Sequence, residues 1–300
     1  MKPAWIVVLL LACVAQAEAA VRVTDDGGHT LTLVKPAERV ITLAPSLTEL
    51  LYEAGGGARL VGTVDYSDYP PEALKVPRIG SNQKLDVERV ARLRPDLILV
   101  WFHGNATREI DQLAALGIPM FHVEPHRIED IPGALERLGQ LVGSETIARA
   151  AAQRFRARHA ALRSRYSGRA QVSVFYQVDA SPLLTINNQQ IIADAIALCG
   201  GRNVFGKEPL LVPQLSTESV VAANPDIILT ALIGGNGNPR AVRAPQERSL
   251  AMWARFSRMK AVRTGQLWLI PGDAISRHGP RILDAAQEIC TALDEARKAK

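Results

Sequence analysis

Three cysteines, no catalytic signature and no long apolar run are what this 300-residue chain withholds first. One of the cysteines, Cys13, lies in the leader-like start, so Cys199 and Cys290 are the only internal pair. Two cysteines this far apart do not make a metal site without further ligands. There is no Gly-x-Ser-x-Gly, no His-Glu-x-x-His and no internal cysteine set up to react, which makes an enzyme the weaker class. The glycine-rich run Gly234-Gly-Asn-Gly-Asn-Pro239 lacks the Gly-Lys-Ser/Thr of a phosphate loop and does not open a helix as one would. Past the start, no segment is apolar for long enough to span a bilayer. The net charge of +5 draws much of its basic excess from Arg149 to Arg169, at helical spacing and without interleaved aromatics. That pattern reads as a solvated helix face, and no nucleic-acid partner is expected.

Residues 1–17 read as a secretory signal, with Lys2 as the positive start, Trp5 to Val14 as the apolar run and Ala15-Gln16-Ala17 as the cleavage site. Leu10-Leu11-Ala12-Cys13 also resembles a lipoprotein box, which would leave Cys13 lipidated. Either reading exports the chain to an oxidising compartment, where Cys199 and Cys290 are a natural disulfide pair. Closing that loop of about 90 residues is worth at most ~4–5 kcal/mol. The other reading is two free buried thiols.

One segment occurs twice, as Leu-Asp-Val-Glu-Arg-Val-Ala-Arg-Leu-Arg-Pro-Asp-Leu-Ile-Leu (85–99) and Leu-Ser-Thr-Glu-Ser-Val-Val-Ala-Ala-Asn-Pro-Asp-Ile-Ile-Leu (215–229). Each copy has an N-cap candidate (Asp86, Ser216), a glutamate two residues on (Glu88, Glu218), a short helix, a Pro-Asp break and a strand of buried type. A repeated helix–turn–strand unit implies two similar lobes, and two lobes imply a cleft.

Strands alternate with helices along the chain, which implies a largely parallel sheet in each lobe. The strand expectations are 39–43, 60–64, 97–101, 119–123, 172–177, 227–230 and 267–270. Helices are expected from Ser46 or Thr48 through Leu51, then over 106–116, 190–199 and 280–296. Ser144 to Tyr166 is different, with no proline or glycine inside it, Ser144 as its cap, and Ile147, Ala151, Phe155 and Leu162 at helical spacing. At 1.5 Å per residue it spans roughly 34 Å, and it lies between the two repeats. The organisation predicted is a signal (1–17), an N-terminal lobe (18–143), a stiff connecting helix (144–167) and a C-terminal lobe (168–300).

Glu88 and Glu218, each in the first turn of a helix, are favoured there by the helix dipole. Their equivalence in two lobes suggests a two-point docking surface for basic residues of a partner. His122, Glu124 and His126 alternate as metal ligands on a strand do, but Pro125 interrupts them and alternation also marks a surface strand end. His278, beside Arg277, reads as a hydrogen-bonded structural residue. No metal and no cofactor are expected.

Assembled, the chain resembles the periplasmic substrate-binding proteins of ABC importers for metal chelates, nearest their corrinoid-binding branch. The resemblance runs from about Arg39 to Leu293. It rests on Arg39-Val-Ile-Thr-Leu-Ala-Pro-Ser-Leu-Thr-Glu-Leu, Tyr66-Ser-Asp-Tyr-Pro-Pro, Gly104-Asn-Ala-Thr-Arg, Asp111-Gln-Leu-Ala-Ala-Leu-Gly, Cys199-Gly-Gly-Arg-Asn-Val-Phe and Gly279-Pro-Arg-Ile. The resemblance implies that Tyr66 and Trp101 line a corrin pocket, that Asp273 and Arg277 form its polar side, and that Glu88 and Glu218 dock on arginines of the permease. It also implies a Cys199–Cys290 disulfide. The chain departs from the family at several pocket positions. Asn82 stands for a tryptophan, Val178 for a phenylalanine, Val212 for a tryptophan and Ala274-Ile275 for a Trp-Phe pair. An aromatic buries some 150–250 Å², so each loss forfeits up to roughly 4–6 kcal/mol of gross contact.

The expectation is an α/β protein of two similar lobes with mainly parallel sheets, joined by one long helix. It would be a monomer in the periplasm, capturing a corrinoid and passing it to an ABC permease without chemistry. The alternatives are a haem or ferric-siderophore binder of the same fold, a metal-ion binder using His122 and His126, and an enzyme on a bilobal framework.

Overall fold

The computed structural model describes residues 20–81, 83–101, 104–105, 107–232 and 247–299. The expected signal, the Cys13 box, Asn82 and the glycine-rich run at 234–239 lie outside the described residues.

The chain opens with an antiparallel hairpin, β1 (Val21–Thr24) and β2 (Thr30–Leu33), turning through Asp25-Asp26-Gly27-Gly28. An Asp-Gly turn between short β-rich runs is a hairpin signal, and the reading above passed over it. β3 (Val40–Thr42), α1 (Pro45–Glu53), β4 (Leu60–Thr63), α2 (Val87–Arg92), β5 (Leu97–Val100), α3 (Thr107–Ala115), β6 (Met120–His122) and α4 (Ile131–Val142) complete the first lobe. α4, apolar along one face, was also passed over. Its strands form a sheet in the order β4-β3-β5-β6, every pair parallel.

After α5 (Glu145–Tyr166) the plan repeats. β7 (Val172–Gln177), the small hairpin β8 (Asp179–Ala180) and β9 (Leu183–Leu184), α6 (Ile191–Leu198), β10 (Gly201–Asn203), α7 (Thr217–Ala223), β11 (Ile227–Leu232) and β12 (Leu267–Pro271) build the second lobe. Its sheet runs β10-β7-β11-β12, again all parallel. Position for position the two orders match, and the two-lobe α/β reading stands. A short helix (Gly272–Ser276) and a long C-terminal one (Ile282–Lys298) close the chain. Among the described residues no helix is long and apolar enough to cross a membrane.

The repeated segment forms the same unit in both lobes. Asp86 accepts from the Arg89 amide at 2.9 Å and Ser216 from the Ser219 amide at 3.1 Å, so both predicted N-caps form. Each helix ends at a left-handed residue before the proline, Arg94 (φ 47°) and Asn224 (φ 43°). The aspartate after each proline then clamps the start of β3 or β7, the first strand in sequence of its four-stranded sheet. Asp96 accepts the Glu38 and Arg39 amides at 2.9 and 2.8 Å, and Asp226 accepts the Ser173 amide at 2.8 Å. The Pro-Asp pair is therefore structural glue.

Two predicted caps do not form. α1 starts at Pro45, which needs no amide partner in the first turn. Thr48 lies inside that helix instead, where its hydroxyl meets Thr42 at 2.7 Å and Thr63 at 2.8 Å in a buried chain ending at Ser67. Ser144 stands at the N-cap of α5 without capping it, because its hydroxyl donates to the Ala54 carbonyl at 2.6 Å.

Both sheets are buried on both faces, as apolar strand runs require. Leu97 and Leu99 of β5 face one cluster and Ile98 and Val100 another. The largest cluster joins α1, α4, α5, α6 and the C-terminal helix, so one core crosses both lobes. α5 contributes Ala148, Ala151, Ala152 and Phe155 at one end and Leu162 and Tyr166 at the other. Ile147, read above as part of its apolar face, is exposed. Its arginines do form a surface face, paired with acids of both lobes. Arg154 reaches Glu53 at 3.1 Å, Arg156 Glu136 at 2.7 Å and Arg158 Asp284 at 2.6 Å. Cys199 and Cys290 are joined in a disulfide linking α6 to the C-terminal helix.

Candidate functional site

In open parallel sheets, ligands bind outside the carboxyl ends of the strands. Most of the predicted pocket residues lie at such ends. Tyr66 follows β4, Trp101 is the first residue after β5, Val178 the first after β7, and Asp273 the second after β12. Val212 is exposed in the connection between β10 and α7.

Tyr66 is 63% exposed and has a φ of 62°, a left-handed backbone that only a few per cent of non-glycine residues adopt. A large ring held open to solvent on strained backbone is the pattern of a binding residue. Trp101 is held from both sides. Its amide donates to the Asn105 side chain at 2.8 Å, and Asn105 donates in turn to the Leu43 carbonyl at 2.8 Å. Gly104 lies so close to the Trp101 ring that a methyl group there would overlap it. The sequence stretch Gly104-Asn105 is thus the support of the Trp101 ring.

Across from it, the Trp101 and His278 rings meet edge to face, 6.5 Å between centroids. His278 is therefore part of the junction between lobes. Burial holds its pKa below the ordinary imidazole value, with Glu124 pulling it back up. The buried Nδ1 has no hydrogen-bond partner among the described residues.

Arg277 is where the structure adds most. Its guanidinium is nearly buried, donating to Glu49 at 2.9 Å and Asp68 at 2.7 Å, with Asp273 at 3.4 Å. Arg281 donates to the same Glu49 carboxylate at 2.8 and 2.6 Å and lies over the Tyr69 ring at 4.0 Å. Glu49, on α1 of the first lobe, is 3% exposed. A buried carboxylate of one lobe is thus shared by two arginines of the other. Arg277 is a strut between lobes, and Asp273, about two-fifths exposed, is the more accessible polar group. The sequence reading missed Glu49. The one signal was a charged residue amid the apolar positions Leu47, Leu50 and Leu51 of α1.

His122 does not gather Glu124 and His126 around it. Its ring lies 2.9 Å from Asp25 in the hairpin turn, and Asp25, His29 and His122 are brought together instead. Glu88 and Glu218 are both exposed, in the first turns of α2 and α7, with Arg92 3.7 Å from Glu88.

Comparison with known proteins agrees with this architecture. Residues 40–274 match the model of the periplasmic binding protein family. The vitamin B12-binding protein of Yersinia pestis is 37% identical over 264 residues, covering 88% of this chain and 89% of the relative. That of Vibrio cholerae is 34% identical over 267 residues, covering 88% and 91%. The crystal structure of the periplasmic vitamin B12 binding protein of Vibrio cholerae superposes with a TM-score of 0.77, at 34% identity over 88% of this chain and 99% of that one. The periplasmic heme binding protein of the same species, at 20% identity and a TM-score of 0.72 over 85% and 98%, shares the fold alone. With twin parallel sheets, a long helix between them and a family match across both, this chain belongs to the periplasmic binding protein family.

Proposed function

We propose that this chain is the periplasmic corrinoid-binding component of an ABC importer, a monomer that captures a cobalamin-like molecule between its lobes and hands it to the permease unchanged. The observation that carries the reading is the placement of Tyr66 and Trp101 at strand carboxyl ends, in a chain whose relatives at 34–37% identity are vitamin B12-binding proteins. A corrin ring offers apolar faces and a fringe of amides. Tyr66 and Trp101 supply aromatic area to the first, and Asp273, braced by Arg277, supplies a polar group to the second. Val178 and Val212 would take further pocket positions, smaller than the aromatics that the resemblance implies there. The lobes are taken as 18–143 and 168–300 with the helix 144–167 between them, after a signal at 1–17 or a lipidated Cys13.

Glu88 and Glu218 are the proposed docking pair. A crossover helix runs antiparallel to the strand that follows it, so both first turns lie toward the cleft edge of their sheets. Exposed acids there would steer and orient a basic permease surface.

Calorimetric titration of the mature protein with cyanocobalamin tests capture. One site per chain with micromolar or tighter affinity is expected, and no heat at high micromolar ligand would overturn the reading. Hemin is the second ligand to try, favoured by the buried Nδ1 of His278 beside Trp101, which has no hydrogen-bond partner among the described residues. A Soret shift lost in His278→Ala would support it. For docking, Glu88→Lys with Glu218→Lys is expected to keep the affinity and abolish uptake by cells carrying the permease.

A further inference from the structure

The β1–β2 turn brings together three side chains that corrinoid capture does not use. Asp25 is buried in the turn, and its carboxylate accepts the His29 amide at 2.8 Å on one oxygen. The other oxygen accepts the His122 amide at 3.3 Å and lies 2.9 Å from the His122 Nδ1. The His29 Nδ1 stands 3.7 Å from the first oxygen. One ligand atom from each of the three residues lies within 4.8 Å of the others.

We infer that Asp25, His29 and His122 form a binding site for a divalent cation of the zinc type, fastening the N-terminal hairpin to the end of β6. The donor set is two imidazoles and a carboxylate, which suits zinc and its neighbours and not magnesium or calcium, which take oxygen ligands. The spacing fits. Two donors each about 2.0–2.1 Å from a tetrahedral zinc stand roughly 3.3 Å apart, and the Asp25 carboxylate faces one imidazole with each oxygen, the His122 Nδ1 at 2.9 Å from one and the His29 Nδ1 at 3.7 Å from the other. The three ligand atoms lie within 4.8 Å of one another, and His29, with its side chain 78% exposed, has room to close on the cation.

The surroundings hold the site in shape. Asp26, the next residue, accepts the Glu124 amide at 2.7 Å and pairs with Arg137, so that guanidinium is already countered by its own acid. Gly27 packs over the cluster, and a methyl group on it would stand 3.1 Å from the His29 Nδ1 and 3.3 Å from an Asp25 oxygen. On binding, each imidazole enters neutral with its proton on Nε2, and the cation replaces the His122–Asp25 hydrogen bond. Water completes the fourth position, as solvent reaches His29.

The test uses the untagged mature chain, stripped with chelator and titrated calorimetrically with zinc chloride. One zinc per chain and a raised unfolding temperature are expected. His29→Ala, on an exposed side chain, is expected to fold normally and lose affinity by about tenfold or more. Gly27→Ala is expected to weaken zinc binding through crowding, while His126→Ala leaves it unchanged. Absence of heat at submillimolar zinc overturns the inference. So does unchanged affinity in His29→Ala, or loss in His126→Ala instead, which would place the ion on His122 and His126. Cyanocobalamin affinity, measured on the same His29→Ala sample, is independent of the outcome.

Discussion

Replacing Glu49 by glutamine removes one negative charge and almost no volume from the junction of the lobes. Two guanidiniums lose by it. Arg281 donates to Glu49 alone among the described acids, and keeps only the Tyr69 face and partial solvent contact. Arg277 keeps Asp68 at 2.7 Å and Asp273 at 3.4 Å. Breaking a buried ion pair from one side typically costs about 3–5 kcal/mol, because the orphaned charge stays buried. With Arg277 still countered, the lower end applies, about 3 kcal/mol. At roughly 2–4 °C per kcal/mol for a chain of this size class, the unfolding temperature of Glu49→Gln should fall by about 6–12 °C. Urea unfolding followed by circular dichroism gives the free energy directly. Combining Glu49→Gln with Arg281→Ala should cost clearly less than the two changes summed, since they break the same contact. A loss below about 1 kcal/mol, or full additivity, would refute the claim that this carboxylate ties the lobes.

Gly104→Ala should displace the Trp101 ring, with which an added methyl group overlaps. The expected result is a lower affinity for cyanocobalamin by calorimetry and an altered tryptophan fluorescence, with the disulfide and secondary structure intact. His278 governs part of the pH dependence. Burial lowers its folded pKa, so below the unfolded value of about 6.5 the unfolded chain binds more protons and stability falls as the pH drops. His278→Gln should flatten the difference between urea midpoints at about pH 7.5 and about pH 5.5, and an unchanged slope would count against it.

The repeat at 85–99 and 215–229 could be read because its information is local. An N-cap, a short helical period, a proline stop and an apolar strand depend on neighbours within a few residues, and both copies fold as that pattern requires. The two-lobe architecture followed from it. The failures have non-local causes. Ser144 looks like a cap, but a carbonyl from α1, 90 residues away in sequence, takes its hydroxyl. Thr48 looks like a cap, but the close approach of β3 and β4 draws it into a buried hydroxyl chain.

Sequence alone determined the βα rhythm, the connecting helix, the cysteine pair and the equivalent glutamates, because each is written in spacing and residue type. Tertiary structure alone decided which charges meet. Glu49 finds Arg277 and Arg281 across 228 and 232 positions, and His122 finds Asp25 across 97. Such pairs leave no periodic trace. They exist because packing excludes water around a carboxylate, and a buried charge must then take whatever counter-charge the fold brings within reach.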